Sequence, residues 1–367
     1  MLSSFNNILQ PQKWLIPELQ LELETELTPK QQLFVKTIEM LEFEKYTYAL
    51  HHGMGRPKES RTSLFKAFIL KAVYNEPTTS ITIEIIKDNP VLLSLCGWEC
   101  KSQVPSESTF SRAFKEFSDM NLNQLIQDDM TTKYLSNELP HHASIDGTSI
   151  QGRETPCRKN TPTKDKKKKE KKKVGRPKKG EEVKKDPKRV ELQGARSLED
   201  NIEDLPQNAD WGAKKDSKGN KMKWTGFKLH LSCIDGDIPV SAILTSASVH
   251  DSQVAIPLMQ MTESRTNYLY DLMDAAYDSP AIREYSENAQ RIPIIDPNKR
   301  KKNAPEMAPA RKLRYNERST AERVNSDLKD NHGGRNVRVR GDKKVFLHLM
   351  FGLLVIIVKK LHTIFSL

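Results

Sequence analysis

The first third of the chain carries apolar residues at intervals of three and four, a spacing that predicts amphipathic helices. Thr28 followed by Pro29 is typical of a helix start, because threonine caps free N–H groups and proline fits the first turn. The helix that follows is predicted over residues 31–45. Further helices are predicted over residues 63–74, 82–87, 91–95 and 106–120. Residues 1–138 are therefore predicted to form an all-α domain.

Two roles suit such a helical domain. Arg112 and Lys115 would point outward from the last of these helices, as in a helix-turn-helix DNA-binding domain. A helical dimerisation module fits the same periodicity equally well, so both roles stay open.

After residue 138 the pattern changes to strands that alternate with helices. Phe227, Leu229 and Leu231 alternate with polar residues, as in a half-buried antiparallel strand. Strands are predicted over residues 143–150, 224–233, 237–245, 268–273 and 291–295, and helices over residues 250–261, 280–289 and 316–330. This order is that of an α/β RNase H-like catalytic domain, which we assign to residues 139–345.

The C-terminal residues 346–367 begin with a thirteen-residue apolar run, 346–358. A bilayer span needs about 20 residues, so this run predicts a helix packed on the core rather than a membrane anchor. The first residues lack the basic flank and cleavage site of a signal peptide. Four cysteines give no disulfide framework, and we therefore expect a cytoplasmic protein.

The net charge of +11 comes from one segment. Residues 158–190 contain 17 Lys and Arg against 5 Asp and Glu, while the rest of the chain has 42 basic and 43 acidic residues. Such an excess is typical of an arm that binds a polyanion, and a solvated insert that only aids solubility is the alternative. The surrounding residues 152–210 lack periodicity and are predicted to be a basic disordered insertion.

Within this insertion, residues 174–179 read Val-Gly-Arg-Pro-Lys-Lys and resemble the core of an AT-hook. An arginine in the narrow minor groove of A·T-rich DNA meets a strongly negative potential. Arg176 and Lys178 are therefore candidate DNA-binding residues.

Three acidic residues are placed where they could meet. Asp146 lies in the middle of the first predicted strand, and Asp274 follows the fourth. If these strands are parallel neighbours, their carboxylates are close, and Glu322 would join them from the last helix. Two Mg²⁺ ions held by such carboxylates, with Mn²⁺ as a possible substitute, suit phosphodiester cleavage, because they activate the attacking oxygen and neutralise the leaving one.

The last helix has two distinct faces. Arg318, Glu322, Asn325 and Lys329 share one arc, while Ala321, Val324 and Leu328 form an apolar stripe. The polar arc favours a carboxylate flanked by phosphate-binding cations. A solvated face with ion pairs explains it as well.

The other aspartates near these positions are predicted to have structural roles. Asp271 would face the opposite side of the sheet from Asp274. Asp278 and Asp251 are predicted to cap the helices that follow them, and His250 is predicted to be structural. Asp235 and Asp237 flank Gly236 in a predicted hairpin turn.

The same residues resemble a known family. Tyr315-x2-Arg318-x3-Glu322-x6-Lys329 is similar to the Tyr-Arg-Glu-Lys signature of bacterial insertion-sequence DDE transposases. Residues 144–148 and 273–279 look like the strands of that family that carry its two aspartates. Residues 224–230, 248–252, 95–98 and 104–106 resemble further family landmarks.

This resemblance implies a DNA-cutting and DNA-joining enzyme of the bacterial nucleoid. It implies that Asp146, Asp274 and Glu322 bind the metals, and that Tyr315, Arg318 and Lys329 contact phosphates at the transposon end. It also implies double-stranded DNA as partner and a homodimer or larger synaptic complex. The interval from residue 274 to 322 contains no tryptophan, so a hairpin intermediate is not supported. A catalytically inactive DNA-binding descendant and a nuclease without strand transfer remain alternatives.

Overall fold

The computed structural model describes residues 27–50, 58–136, 138–156, 187–215, 219–297 and 307–365. Its N-terminal part is helical. The helices, separated by short turns, are α1 (Pro29–Met40), α2 (Glu44–Ala49), α3 (Arg61–Tyr74), α4 (Thr79–Asp88), α5 (Pro90–Cys96), α6 (Glu107–Asp119) and α7 (Leu122–Leu135). Thr28 caps α1 in a capping box with Gln31, as the Thr-Pro pair predicts for a helix start.

The predicted helix 31–45 is wrong in its extent, because the structure divides it into α1 and α2. Glu42 between them has a φ of 45°, which interrupts the helical hydrogen bonds. The turn allows both Leu41 and Phe43 to enter the core, where they are 2% and 0% exposed. Burial of two large side chains close together thus overrides the local helical periodicity.

The following part contains a six-stranded mixed sheet. Its strands are β1 (His142–Gln151), β2 (Asp210–Lys215), β3 (Lys221–Ile234), β4 (Ile238–Ser246), β5 (Tyr270–Met273) and β6 (Ile292–Ile295). The order is β2-β3-β1-β5-β6, with β4 also paired to β3. β1 lies at the centre, antiparallel to β3 and parallel to β5, as predicted for the first and fourth strands of the sequence pattern.

Helices cover both faces of this sheet. They are α8 (Arg189–Gln193), α9 (Leu198–Glu203), α10 (Ala255–Glu263), α11 (Pro280–Asn288), α12 (Pro309–Tyr315), α13 (Ser319–Asn331) and α14 (Asp342–Phe365). On one face Leu229 and Leu231 of β3 pack against α13 and α14. On the other, Ile145 of β1 packs against α10 and α11. A mixed sheet with helices after a helical region is consistent with an RNase H-like domain.

The predicted disordered insertion, 152–210, is wrong for its last part. Residues 187–210 form α8, α9 and the start of β2, and Val190 and Leu205 are buried in the cluster that contains α10. Asn201 donates to Gln260 Oε1 and to the Gln193 carbonyl, which satisfies polar groups in this layer. Isolated apolar residues without periodicity are enough to dock these short helices. The Lys-rich residues 157–186, with Arg176 and Lys178, lie outside the described residues.

The apolar C-terminal run lies within α14, a helix long and apolar enough to cross a membrane by length and composition, but 78% of its most apolar window is buried within the fold. One side of α14, with Phe351 and Leu354, packs among the N-terminal helices. Another, with Leu349 and Leu353, packs beneath the sheet. The helical region and the sheet therefore share this helix as part of their cores.

Candidate active site

Asp146 lies near the middle of β1, on the sheet face that α13 covers. Asn325 of α13 donates from Nδ2 to Asp146 Oδ2 at 3.0 Å. Two residues earlier on the same face, the Ser144 hydroxyl donates to the Arg318 carbonyl at 2.7 Å. Two hydrogen bonds thus attach the start and the middle of the helical segment 316–331 to β1.

Asp274 follows β5 directly. Because Ile145 of β1 is in register with Met273 of β5, the next residues, Asp146 in the middle of β1 and Asp274 at the carboxyl end of β5, are neighbours on two parallel strands. Asp274 Oδ1 accepts from the Ala276 N–H at 2.9 Å at the start of a short 3₁₀ turn. This bond fixes the carboxylate at the edge of the sheet.

Glu322 lies on α13, and the apolar stripe of that helix sets its direction. Ala321, Val324 and Leu328 are fully buried against β3 and α14, so Glu322 lies beside them at the helix surface. Its side chain is 51% exposed and forms an ion pair with Arg318 at 2.7 Å. The guanidinium of Arg318 also lies 5.5 Å from the ring centroid of Tyr315.

The charges of these groups influence one another. Burial raises the pKa of Asp146, and the carboxylates of Asp274 and Glu322 raise it further, while Lys214 and Arg318 oppose the shift. Burial likewise raises the pKa of Asp274, against the hydrogen bond from Ala276. Asp274 and Glu322 are thus within electrostatic reach of Asp146, and both disfavour its ionised state.

Three cations surround the carboxylates: Arg318, Lys329 and Lys214. Burial lowers the pKa of Lys329, and nearby Arg335 and Lys214 lower it further. Lys329 and Arg318 are predicted site residues that the structure brings to Asp146. Lys214 is not predicted by the sequence analysis, because nothing in its local pattern separates it from the many lysines around it.

Other aspartates that the sequence analysis considered have different partners. Asp271 is fully buried, and it accepts from Ser286 Oγ at 2.6 Å and from Arg291 Nε at 3.1 Å. Asp278 binds Arg283 at 3.1 Å, and the residue at the N-cap position of α11 is Ser279. Asp235 and Asp237 lie in the turn between β3 and β4.

The prediction that Asp251 caps the following helix is wrong. The capping side chain is that of His250, whose ring accepts from the Ser252 N–H. Asp251 instead forms an ion pair with Lys228 at 3.0 Å and raises the pKa of Asp274. A fourth carboxylate therefore lies near the other three, and the motif at residues 248–252 was the available signal for it.

Gly147, next to Asp146, makes room for this arrangement. A Cβ at residue 147 would lie 2.9 Å from Asp251 Oδ1 and 3.0 Å from His230 Nδ1. His230 is opposite Gly147 on β3, and burial lowers its pKa to about 4, so its ring is neutral at physiological pH. A larger residue at 147 would push Asp251 away from Lys228.

The donor set suits a hard divalent cation. All three predicted ligands offer carboxylate oxygens, and their mutual repulsion favours a cation between them. Within the described ranges, no three His, Cys, Asp or Glu side chains already lie at metal-binding spacing. Glu322 is paired with Arg318 instead.

Two family models match the chain. The one described as Transposase DDE domain matches residues 138–358, and the one described as Transposase domain (DUF772) matches residues 22–116. No curated protein and no solved structure matches. Since the first match spans more than half of the 367 residues and contains the three carboxylates, the chain belongs to the DDE transposase family of insertion sequences.

Proposed function

We propose that this transposase catalyses metal-dependent DNA cleavage at the ends of an insertion sequence and transfers the freed 3′ ends to target DNA. The observation that carries the proposal is the electrostatic coupling of Asp146, Asp274 and Glu322 beside a set of cations. Carboxylates that raise the pKa of a buried aspartate destabilise the fold, and chemistry that needs a bound cation explains why they lie there.

Asp146, Asp274 and Glu322 would hold two Mg²⁺ ions, or Mn²⁺ in their place. Bound there, the ions would lower the pKa of the attacking water and neutralise the leaving oxygen. Asn325 orients the Asp146 carboxylate through its hydrogen bond. Glu322 would exchange its ion pair with Arg318 for the metal, which would leave the guanidinium available to a DNA phosphate.

The remaining site residues would hold DNA. Arg318 and Lys329 supply positive charge beside the carboxylates, and Tyr315 supports the Arg318 side chain. Arg176 and Lys178 would bind the minor groove of A·T-rich DNA. The helical region would read transposon-end DNA or mediate dimerisation, and the exposed Arg112 and Lys115 on α6 are available for a DNA contact.

The reaction would be an in-line displacement without a covalent protein–DNA intermediate. Because two ends of one element must be joined to one target, we expect a homodimer or larger synaptic complex on double-stranded DNA. A bacterial cytoplasmic location at the nucleoid follows from this substrate.

Cleavage and strand transfer would be tested with duplexes from the ends of the element, a target plasmid and Mg²⁺. We expect the wild-type chain to produce nicked ends with free 3′ hydroxyls and plasmid-joined products. Asp146→Asn, Asp274→Asn and Glu322→Gln should each bind DNA but lose at least about 100-fold in cleavage, more than the loss typical of groups that only support a metal ligand. Asp330→Asn, which removes an exposed carboxylate from the same helix as Glu322, is the matched control.

The outcomes separate the alternatives. Cleavage that survives in Asp146→Asn would refute the assignment of the catalytic residues. Wild-type binding without cleavage would indicate an inactive descendant, and cleavage without joined products would indicate a nuclease.

A further inference from the structure

A two-stranded ribbon extends from the sheet. It consists of β2 and the first residues of β3, 221–225, and we call it the basic ribbon. Lys214 pairs with Met222, Ala213 with Lys223, and Trp211 with Thr225. Pairing of β1 with β3 ends at Gln151 opposite Gly226, so the ribbon continues beyond the end of β1.

Glycine is required where the ribbon leaves the sheet. Gly226 has a φ of 138°, and a Cβ there would lie 2.3 Å from the Gly152 nitrogen and 2.6 Å from the Ile150 carbonyl oxygen. Only glycine fits this conformation and this close approach. Trp224 Nε1 donates to the Phe227 carbonyl at 3.0 Å, which connects the residues on either side of Gly226.

The ribbon extends from the strand that pairs with the Asp146 strand. Asp146 is opposite Leu231 of β3, and the ribbon begins beyond Gly226 of the same strand, five residues from Leu231. The charge of Lys214 on the ribbon also lowers the pKa of Asp146 and of Asp274. DNA that reaches the carboxylates along β3 would therefore meet the ribbon.

The surface of the ribbon is basic and carries exposed apolar side chains. The residues of the ribbon, 210–215 and 221–225, contain four lysines and one aspartate. Trp211 is 61% exposed and Met222 is 59% exposed. Paired residues share a face, so Trp211 and Lys223 lie on one side and Lys214 and Met222 on the other.

Positive charge on both faces suits an element that lies between two phosphate backbones. A DNA groove is bordered by a phosphate backbone on each side, and the major groove admits a two-stranded ribbon. An exposed tryptophan beside lysines adds a surface on which a base or sugar packs, as in many nucleic-acid sites. A structural role would bury Trp211 instead, as the fold does with Trp98, which is 6% exposed.

We propose that the basic ribbon is a DNA-docking arm of the active site. Lys214 and Lys223 bind phosphates beside the strand that is cut, and Trp211 packs on the sugar and base at the end of the element. The occupant is the duplex at the transposon end, because the ribbon is positively charged and continues the strand that pairs with the Asp146 strand. This inference rests on the proposed function.

The test measures binding of a fluorescent duplex from the end of the element to the full chain carrying Asp146→Asn, without metal. Trp211→Ala should weaken binding by about 5- to 100-fold, and Trp211→Phe should recover part of the loss. Lys214→Gln with Lys223→Gln should reduce the slope of log affinity against log salt by about 2, the effect of two phosphate contacts. DNA should also quench tryptophan fluorescence in the parent chain and much less in Trp211→Phe.

Two controls match these changes. Leu139→Ala removes a side chain that is 58% exposed and precedes β1, at the other end of that strand from the ribbon. Lys343→Gln with Lys359→Gln removes the same net charge from exposed positions on α14, to which no DNA contact is assigned. If the ribbon variants bind DNA like these controls, the ribbon proposal is overturned.

The ribbon and the proposed function fail differently. If the wild-type chain cuts and joins DNA, but ribbon variants without Asp146→Asn do so equally well, only the ribbon proposal is lost. If the wild-type chain binds DNA through Trp211 but does not cut it with Mg²⁺, the ribbon stands and the enzymatic proposal fails. Absence of any DNA binding refutes both.

Discussion

At the scale of single residues, Asp271 and Asp274 show how position along one strand decides the role of a carboxylate. Asp271 lies inside β5, fully buried, with Tyr268, Ser286 and Arg291 as hydrogen-bond donors. Asp274 lies just beyond the strand, at the edge of the sheet. Asp271 therefore has three side-chain partners within the fold, whereas Asp274 accepts from the Ala276 N–H and lies beside Asp146.

Replacement of each aspartate by asparagine should have a different effect on stability. Asp271→Asn should destabilise the protein by on the order of 3 kcal/mol, because Arg291 loses a buried ionic partner and keeps Glu263. Asp274→Asn should leave the denaturation midpoint unchanged or higher, because asparagine keeps an oxygen that accepts from the Ala276 N–H and removes a carboxylate whose charge raises the pKa of Asp146. Urea denaturation combined with the cleavage assay checks both, and the reverse pattern would argue for Asp271 as the catalytic residue.

A second residue-scale prediction concerns His348 on α14. Its Nε2 lies 3.0 Å from the Gly333 carbonyl oxygen, and burial lowers its pKa from 6.5 to about 3. Below pH 6.5 the unfolded chain binds a proton that the folded protein excludes. The contribution of the neutral His348 ring to the free energy of unfolding is therefore present above pH 6.5 and is lost as the pH falls toward 3.

From pH 7 to pH 5 this residue should cost the wild-type chain about 2 kcal/mol of unfolding free energy. His348→Gln keeps a side chain that donates to Gly333 and should remove this loss, as measured by urea denaturation at both pH values. The same substitution at the exposed His141 is the control. An unchanged pH dependence in His348→Gln would show that His348 is not the group responsible.

At the scale of elements, the close packing of α13 on α14 positions Glu322. Gly352 of α14 lies against the end of α13, where a Cβ would be 2.5 Å from the His332 carbonyl oxygen and 2.6 Å from Leu328 Cδ1. The absence of a side chain lets the two helices approach. Hydrogen bonds from Ser144 and Asn325 then connect the α13 segment to β1.

Gly352→Ala should therefore separate the two helices. Overpacking costs about 1–3 kcal/mol, and the better helix propensity of alanine returns up to about 1 kcal/mol. We expect a lower thermal midpoint together with reduced cleavage, because Glu322 shifts relative to Asp146. Thr363→Ala, at an exposed position of the same helix, should change neither, and a Gly352→Ala protein as stable and active as wild type would contradict this account.

At the scale of the whole molecule, α14 is common to two cores. Phe351 contacts the rings of Phe65, Phe68 and Phe114 in the helical region, while Met350 and Leu353 pack beneath the sheet. This helix is buried along most of its length from Val345 to Val358.

Removal of α14 should prevent folding of both regions. A chain that ends at residue 341 should show no cooperative thermal transition, because two clusters lose their central apolar surface at about 25 cal/mol per Å². A chain that ends at residue 365 should melt like the full chain. Cooperative melting of the shorter chain, followed by circular dichroism, would show that α14 is dispensable.

The sequence by itself determined the types of most elements outside residues 187–215, the parallel pairing of β1 with β5, and the family. Those features depend on local periodicity and on short motifs, which neighbouring residues encode. Three carboxylates were predicted to meet for the same reason: one lies within a strand, one follows the neighbouring strand, and one lies on a helix with a clear apolar stripe.

Only the tertiary structure decided which other groups accompany these carboxylates. The charge of Lys214 acts on Asp146 although β2 and β1 do not pair, and Asp251 acts on Asp274 where Gly147 leaves space for it. Asp251 lies in the 248–252 motif, but which groups it and Lys214 approach depends on atoms far apart in the chain, and local patterns do not encode that. The shared role of α14 is of the same kind: its apolar run predicts burial, but the partners that bury it are set by long-range packing.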